Sequence, residues 1–230
     1  MFGACLLVGL VSLLGIAGWQ LRQMPVERVI VSGDLEQVSR DLLMERVTES
    51  IESGFLTVNL QQVRRSVEGL PWVYRVVVKR RWPNSLEVKV TEQLPIARWG
   101  DEGYLNHSGE LFLSPNLPAF DLPRLSGPQG TEQLLMQYYK MIQDPLHGAG
   151  VDVAALAMDG RGGLRAELVS GGELVFGRGD IGEKLQRFLR VYDTQLAGRI
   201  SQVQRVDLRY SHGAAVAWVA VNTQQNTQKT

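Results

Sequence analysis

The sequence predicts an α+β protein in three parts: an N-terminal transmembrane helix, a compact module of β-α-α-β-β order, and a larger, mostly antiparallel β domain carrying two helices. Three observations predict it. Phe2 to Trp19, FGACLLVGLVSLLGIAGW, is a run of eighteen residues without a charge. Residues 25–93 switch between strand and helix periodicity within a short, self-contained stretch. From Leu94 onward, short alternating strands dominate and only two helical stripes interrupt them. The expected boundaries are 1–20 for the anchor, 25–93 for the first module, 94–222 for the β domain and 223–230, TQQNTQKT, for a disordered tail.

The anchor follows from length and flanks. Eighteen helical residues rise about 27 Å, near the hydrocarbon thickness of a bilayer. A cleaved signal peptide would need basic residues ahead of the apolar run and a small-residue cleavage site, and Trp19-Gln20 supplies neither. Trp19 suits an interfacial position instead. Cys5, the one cysteine of the chain, falls in this run, so no internal disulfide forms. Arg22 is the one basic residue close by and lies after the segment, too little charge to orient it.

In the first module, VERVIVSG reads as a strand ending at Gly33. VSRDLLMERVTESIESG places Leu42, Leu43, Val47 and Ile51 along one helical face and stops at Gly54. Asn59 followed by Gln62 resembles a capping box that opens a second helix, which ends by Gly69-Leu70-Pro71. Val76 and Val78, then Leu86, Val88 and Val90, alternate with polar neighbours on either side of Trp82-Pro83-Asn84-Ser85, the pattern of a β-hairpin.

In the second domain the expected strands are Ile96–Trp99, Gly103–Asn106, Glu110–Leu113, Val151–Met158, Leu164–Leu168, Glu173–Phe176, Gln202–Tyr210 and Ala214–Val221. Glu132–Gln143 and Ile181–Leu196 read as helices with ordinary core stripes. Pro115–Pro128 carries no period and reads as a loop. The last strand raises a question. Ala214 to Val221 is apolar on both faces, yet only a polar tail follows to cover it. It is either the final core strand, with Trp218 packed inside, or a strand kept for a partner.

The sequence offers little chemistry. Lys plus Arg equals Asp plus Glu, 24 each, which argues against a nucleic-acid binder. The histidines His107, His147 and His212 have no metal-ligand spacing, and the chain carries no nucleophile elbow, no phosphate loop and no dinucleotide fingerprint. Gly177–Asp180, GRGD, reads as a helix start in which Asp180 is the N-cap and Glu183 follows three residues on. The expectation is therefore a protein that is not an enzyme and holds no cofactor or metal.

Three stretches then point to a family: LPWVYRVVVKRRWPNSLEVKVTEQLPIARW, FGRGD ahead of a helix, and RVDLRYSHGAAVAWV, in that order behind a single anchor. Together they resemble the FtsQ cell-division family of Gram-negative bacteria. The resemblance implies a single-pass inner-membrane protein with a POTRA domain over 25–93 and a β domain over 94–222, and it places the chain from Pro25 onward in the periplasm at the division septum. The family's short cytoplasmic tail has almost no counterpart ahead of Phe2. In role, the resemblance implies an essential divisome scaffold that binds the FtsB–FtsL complex through the β domain, meets other septal proteins through the POTRA domain and links early to late septal assembly. The partner contacts it implies are Tyr210, Gly213 and Trp218, with Ala215 on the same stretch, Arg209 toward an acidic partner residue, His212 where relatives carry a small polar residue, and Arg161 as a second basic contact. The competing readings are a periplasmic POTRA module assisting outer-membrane protein assembly or secretion, which would require a C-terminal β-barrel, and a cell-wall hydrolase.

Overall fold

The computed structural model describes residues 24–113 and 120–219. They divide into two compact units that part between Gln93 and Leu94. The expected anchor and tail lie outside the described residues, and among the described residues no helix is long and apolar enough to cross a membrane.

The first unit runs β1 (Arg28–Ser32), α1 (Arg40–Glu49), α2 (Leu60–Glu68), β2 (Val73–Arg81), β3 (Ser85–Glu92). Its sheet has the order β1-β3-β2, with β1 parallel and β2 antiparallel to β3. Leu43 and Val47 of α1 and Val63 and Val67 of α2 are fully buried, as are Leu86 and Val88 of β3, so the core lies between the helix pair and one face of the sheet. Leu42, expected on the core stripe, is exposed, and Ile51 falls beyond the end of α1. One turn-to-turn pair, Leu43 and Val47, is all the buried face that a ten-residue helix presents here. Asn59 caps α2 by accepting the N–H groups of Gln61 and Gln62. The Gln62 side-chain amide donates to the Glu52 carboxylate at 3.4 Å. At the end of β3, the Glu92 carboxylate accepts the N–H groups of Glu36, Gln37 and Val38 at 2.8 to 3.2 Å, which fixes the turn before α1.

The second unit runs β4 (Ala97–Trp99), β5 (Gly103–Leu105), β6 (Leu111–Phe112), β7 (Arg124–Ser126), α3 (Glu132–Gly148), β8 (Val153–Met158), β9 (Leu164–Leu168), β10 (Glu173–Gly177), α4 (Ile181–Val191), a π-helical turn (Tyr192–Leu196), β11 (Val203–Asp207) and β12 (Ala215–Trp218). All nine strands join one sheet in the order β12-β11-β10-β9-β8-β7-β4-β5-β6. Five of its eight pairings are antiparallel, and β4/β7, β7/β8 and β10/β11 run parallel, which makes the sheet mixed. Two of these pairs have a physical cause in the helices. A helical crossover returns the chain in its original direction, and α3 and α4 are the crossovers of β7-α3-β8 and β10-α4-β11.

Five expected elements are corrected. The stretch 115–128 is not only loop: Arg124–Ser126 is β7, inserted between β4 and β8, with Leu125 fully buried. Three residues following Pro123 are too few to show a period. Helix α3 runs to Gly148 rather than stopping at Gln143, with Pro145 inside it. Proline removes one helical bond, and the burial of Ile142 and Leu146 holds the last turn in place. The helix expected to reach Leu196 changes at Tyr192 to a π-turn, in which the N–H of Ala197 reaches the carbonyl of Tyr192 at 2.9 Å. That wider turn keeps both Tyr192 and Leu196 buried, and the Tyr192 hydroxyl donates to the carbonyl of Ala149 at 3.1 Å. The last two strands are also shorter than expected, Val203–Asp207 and Ala215–Trp218.

The core of the second unit gathers Leu125, Leu135, Ile142, Leu174, Phe176, Phe188 and Val206, each with no exposed surface. Leu125→Ala should destabilise this unit by about 2–5 kcal/mol, the usual cost of an internal leucine truncation. Chemical unfolding checks it; a change below about 1 kcal/mol would show that β7 does not hold the middle of the sheet.

Candidate partner-binding edge

The site is built by the last hairpin. β12 lies at one end of the nine-stranded sheet and, among the described residues, pairs with β11 alone, antiparallel, matching Asp207 with Ala215, Val206 with Val216, Arg205 with Ala217 and Val203 with Trp218. Between Val203 and Arg205 the register shifts, so β11 takes two steps where β12 takes one. The bulge is therefore in β11, and β12 itself alternates regularly. Just past β12, the N–H of Val219 donates to the carbonyl of Gln202 at 2.8 Å. In an antiparallel strand, alternate residues turn both backbone groups to the same neighbour. Ala215, Ala217 and Val219 thus face β11, and Val216 and Trp218 turn their N–H and C=O groups to the open edge.

The side chains follow the other alternation. Ala214 and Val216 pack against the core, while Ala215 and Ala217 are exposed on the opposite face. Trp218 is 44% exposed and so is not the packed core residue that one reading of the last strand required. Ala217 borders a hollow of about 590 Å³ whose wall includes Gly172, Glu173 and Arg205. There Glu173 holds Arg205 at 2.7 Å, with Arg165 at 3.9 Å.

The connection between the two strands carries the remaining residues. Leu208 still belongs to the sheet, because its N–H donates to the carbonyl of Val175 at 2.9 Å. Arg209 turns back on Asp207, placing Nε 2.9 and 3.0 Å from the two carboxylate oxygens and Nη2 2.6 Å from one of them. Tyr210 is 60% exposed, and His212 is exposed beside it in the bend. Gly213 meets nothing: a Cβ built on it has open space within 4 Å. Ordinary strand parity therefore does not relate Tyr210 to Trp218, because a turn lies between them. The structure brings Arg209, Tyr210, His212, Gly213, Ala215 and Trp218 together on one hairpin. Arg161 is apart, in the Asp159–Gly163 turn between β8 and β9, three to four strand spacings from β12, or about 14–19 Å. That turn is at the same end of the sheet as Arg209, since Leu164 pairs with Gly177 and Val175 with Asp207.

Sequence reasoning missed what holds the hairpin. Arg187 of α4 donates to the carbonyl of Tyr210 and, at 2.6 Å, to the Glu183 carboxylate. The Glu183–Arg187 spacing was a legible helix pair, but its reach to Tyr210 is tertiary. Gly177, at φ 63°, leaves room for the Arg209 stem: a Cβ there would come within 2.8 Å of Arg209 Cγ. Asp180 caps α4 by accepting the Glu183 N–H at 3.0 Å, as its position suggested. Among the described residues no group of acidic, His or Cys side chains could hold a metal ion.

The Asp207 carboxyl is held below its ordinary range, chiefly by the hydrogen bond from the Arg209 side chain. A carboxyl depressed by folding contributes stability above its unfolded value, about 3.9, and loses it as pH falls through the lower folded value. Asp207→Asn should therefore narrow its melting-temperature gap to the wild type only below about pH 4. A gap that stays constant down to pH 2 would contradict the pair. The backbone assignment gives a second outcome. Ala217→Pro breaks a bond to β11 and should lower the melting temperature sharply, whereas Val216→Pro should melt like Val216→Ala, the control for the lost side chain. Equal losses for the two proline variants would invalidate the parity.

Comparison with known proteins bears on both units. The family profile described as "POTRA domain, FtsQ-type" matches residues 24–93, and that described as "Cell division protein FtsQ/DivIB, C-terminal" matches residues 97–209. The chain is 38% identical over 215 residues to a protein named Cell division protein FtsQ from Xanthomonas campestris pv. campestris, covering 93% of this chain and 77% of that one. It is 34% identical over 206 residues to the protein of the same name from Hahella chejuensis, covering 89% and 74%. With that from Cellvibrio japonicus it shares 35% identity over 201 residues, 87% of this chain but 63% of the relative, so the chain spans less than two thirds of that protein's length.

Proposed function

The chain belongs to the FtsQ/DivIB family of cell-division proteins, and from that premise we propose that it is a binding scaffold of the division septum rather than an enzyme. In this reading residues 1–20 anchor it in the bacterial inner membrane, residues 25–93 bring it to the septum through other division proteins, and residues 94–222, in the periplasm, hold the FtsB–FtsL pair and so link early to late septal assembly. The observation that carries the reading is the open edge of β12, where the backbone groups of Val216 and Trp218 have no strand beside them among the described residues.

A peptide strand laid along that edge gains main-chain hydrogen bonds, and flanking side chains set its identity. Trp218 and Tyr210 are the large exposed aromatics beside it and serve as anchors. Ala215 and Gly213 keep the approach low; since nothing among the described residues occupies the space over Gly213, its smallness serves an incoming strand. Arg209 is held in place by Asp207 yet keeps most of its side chain in solvent, which suits it to a carboxylate on the partner. Arg161, at the same end of the sheet, offers a second cation, with its turn set by Asp159 accepting the N–H groups of Arg161 and Gly163 at 2.8 Å.

Tyr210→Ala and Trp218→Ala should each weaken binding of the periplasmic FtsB–FtsL segments to the full chain by about 2 kcal/mol or more, roughly 30-fold, without changing the melting temperature much. Gly213→Leu should do the same through bulk alone. Val216→Pro should abolish binding while Val216→Ala binds, and cells relying on it should grow as filaments. If every folded variant binds normally, the partner does not add a strand here.

A further inference from the structure

At one end of the first unit three segments meet. The β2–β3 hairpin turns there through Trp82, Pro83 and Asn84. Beside it lies the loop 54–58: buried Phe55 stacks edge-on to Trp82 with ring centroids 6.0 Å apart, and Arg80 donates to the carbonyls of Phe55, Leu56 and Val58 at 2.9, 3.3 and 2.7 Å. The third segment is the start of the described chain. Phe55 donates its N–H to the carbonyl of Met24 at 2.7 Å, Glu27 donates to the carbonyl of Asn84 at 3.0 Å, and the Asn84 amide donates to the Glu27 carboxylate. The hairpin tip is thus pinned to the point from which the chain leads back to the uncharged run Phe2–Trp19.

This end presents an unusual surface for a soluble face. Trp82 is 67% exposed although the Phe55 ring packs against it, and Leu56, next to Phe55 in the loop, is exposed. Arg28 and Arg81 are exposed and both pair in register with Ser85, which puts them on the last row of the sheet. Lys79 is exposed on the same strand. Of the carboxylates at this end, Glu27 is taken up by Asn84, and Glu87 lies across the hairpin from Lys79, which leaves Arg28 and Arg81 as the principal cations. From Trp19 to Met24 is five Cα steps, at most about 18 Å of extended chain.

Resting on the reading of residues 1–20 as a membrane anchor, we propose that this hairpin end is a docking surface for lipid headgroups. The short tether keeps it at the bilayer surface. Trp82 and Leu56 enter the interfacial layer, where an indole places an apolar body and a polar N–H to advantage. Arg28 and Arg81 meet anionic phosphates, each near enough to add its own attraction. Docking then sets the tilt of the first unit on the membrane, a property that a single covalent tether cannot supply.

The test uses the full chain reconstituted in liposomes of phosphatidylethanolamine and phosphatidylglycerol, with lipids brominated near the headgroup as quenchers of tryptophan fluorescence. The difference between wild type and Trp82→Phe isolates Trp82, while Trp19 reports on the anchor in both. The expected result is a bromolipid-quenched Trp82 signal that fades in phosphatidylcholine alone. Arg28→Ala with Arg81→Ala should lower the docked-to-undocked ratio about 25-fold, fivefold for each cation. Carbonate extraction separates the two premises. A chain washed from the liposomes overturns the anchor, and the docking with it. A chain that stays in the bilayer with Trp82 open to aqueous iodide and untouched by bromolipid overturns the docking alone.

Discussion

A backbone strand at the end of a sheet can satisfy only half of its hydrogen-bonding groups within the sheet, and β12 is such a strand. The reading of the second unit follows from that constraint. The chain brings β12 to the edge because α4 crosses over between β10 and β11, laying β11 parallel to β10, and the hairpin then folds β12 antiparallel onto the far side of β11. The core gains from only one side of it: Ala214 and Val216 pack inward, and Ala215 and Ala217 look out. Such a strand is held by one ladder and a thin strip of apolar contact, enough to fix its register and not enough to hide it.

That register depends on residues far away in sequence. FGRGD and RVDLRYSHGAAVAWV look independent when read along the chain, yet they are one device in space. Gly177 gives the Arg209 stem its passage, Asp180 starts α4, and α4 carries Arg187 to the carbonyl of Tyr210. Lys184, one helical step before Arg187, bonds the carbonyls of Phe176 and Arg178. The turn that presents Tyr210, His212 and Gly213 is therefore braced from the helix side, and Arg209 is braced by Asp207. Pre-set geometry of this kind lowers the ordering cost that a partner strand must meet.

The legible and illegible parts of the fold divide along physical lines. The β2–β3 hairpin and β9 were readable because period-2 patterns run long enough to show, and the starts of α2 and α4 because Asn59 and Asp180 carry out a local bond. Strand β7 was hidden because three residues define no period and its partners are distant in sequence. The parallel pairs were hidden for the same reason, since strand direction is a property of connections. At the edge, the aromatics Tyr210 and Trp218 could be singled out as uncovered, and the structure finds both exposed. Which backbone groups face outward was not readable, because it depends on where the bulge falls, and the bulge lies in β11.

Other sheet edges among the described residues are treated differently. In the first unit β2 is an edge nine residues long, and Arg75, Lys79, Arg80 and Arg81 stud it. Charges on an edge are a common guard against unwanted pairing, because a docking strand would have to desolvate or match them. β1, the opposite edge, begins with exposed Arg28. At the far end of the large sheet β6 has two residues, too short a ladder to recruit a strand. β12 has no charge between Ala215 and Trp218, small residues at alternate positions, and an aromatic at its end. An unguarded edge would risk indiscriminate association if it were long and flat. At four residues, next to a bulge and bordered by Arg209, it offers too few main-chain bonds to hold a partner without side-chain anchors as well. Backbone pairing and side-chain fit are then both required, and that joint requirement makes an open strand selective.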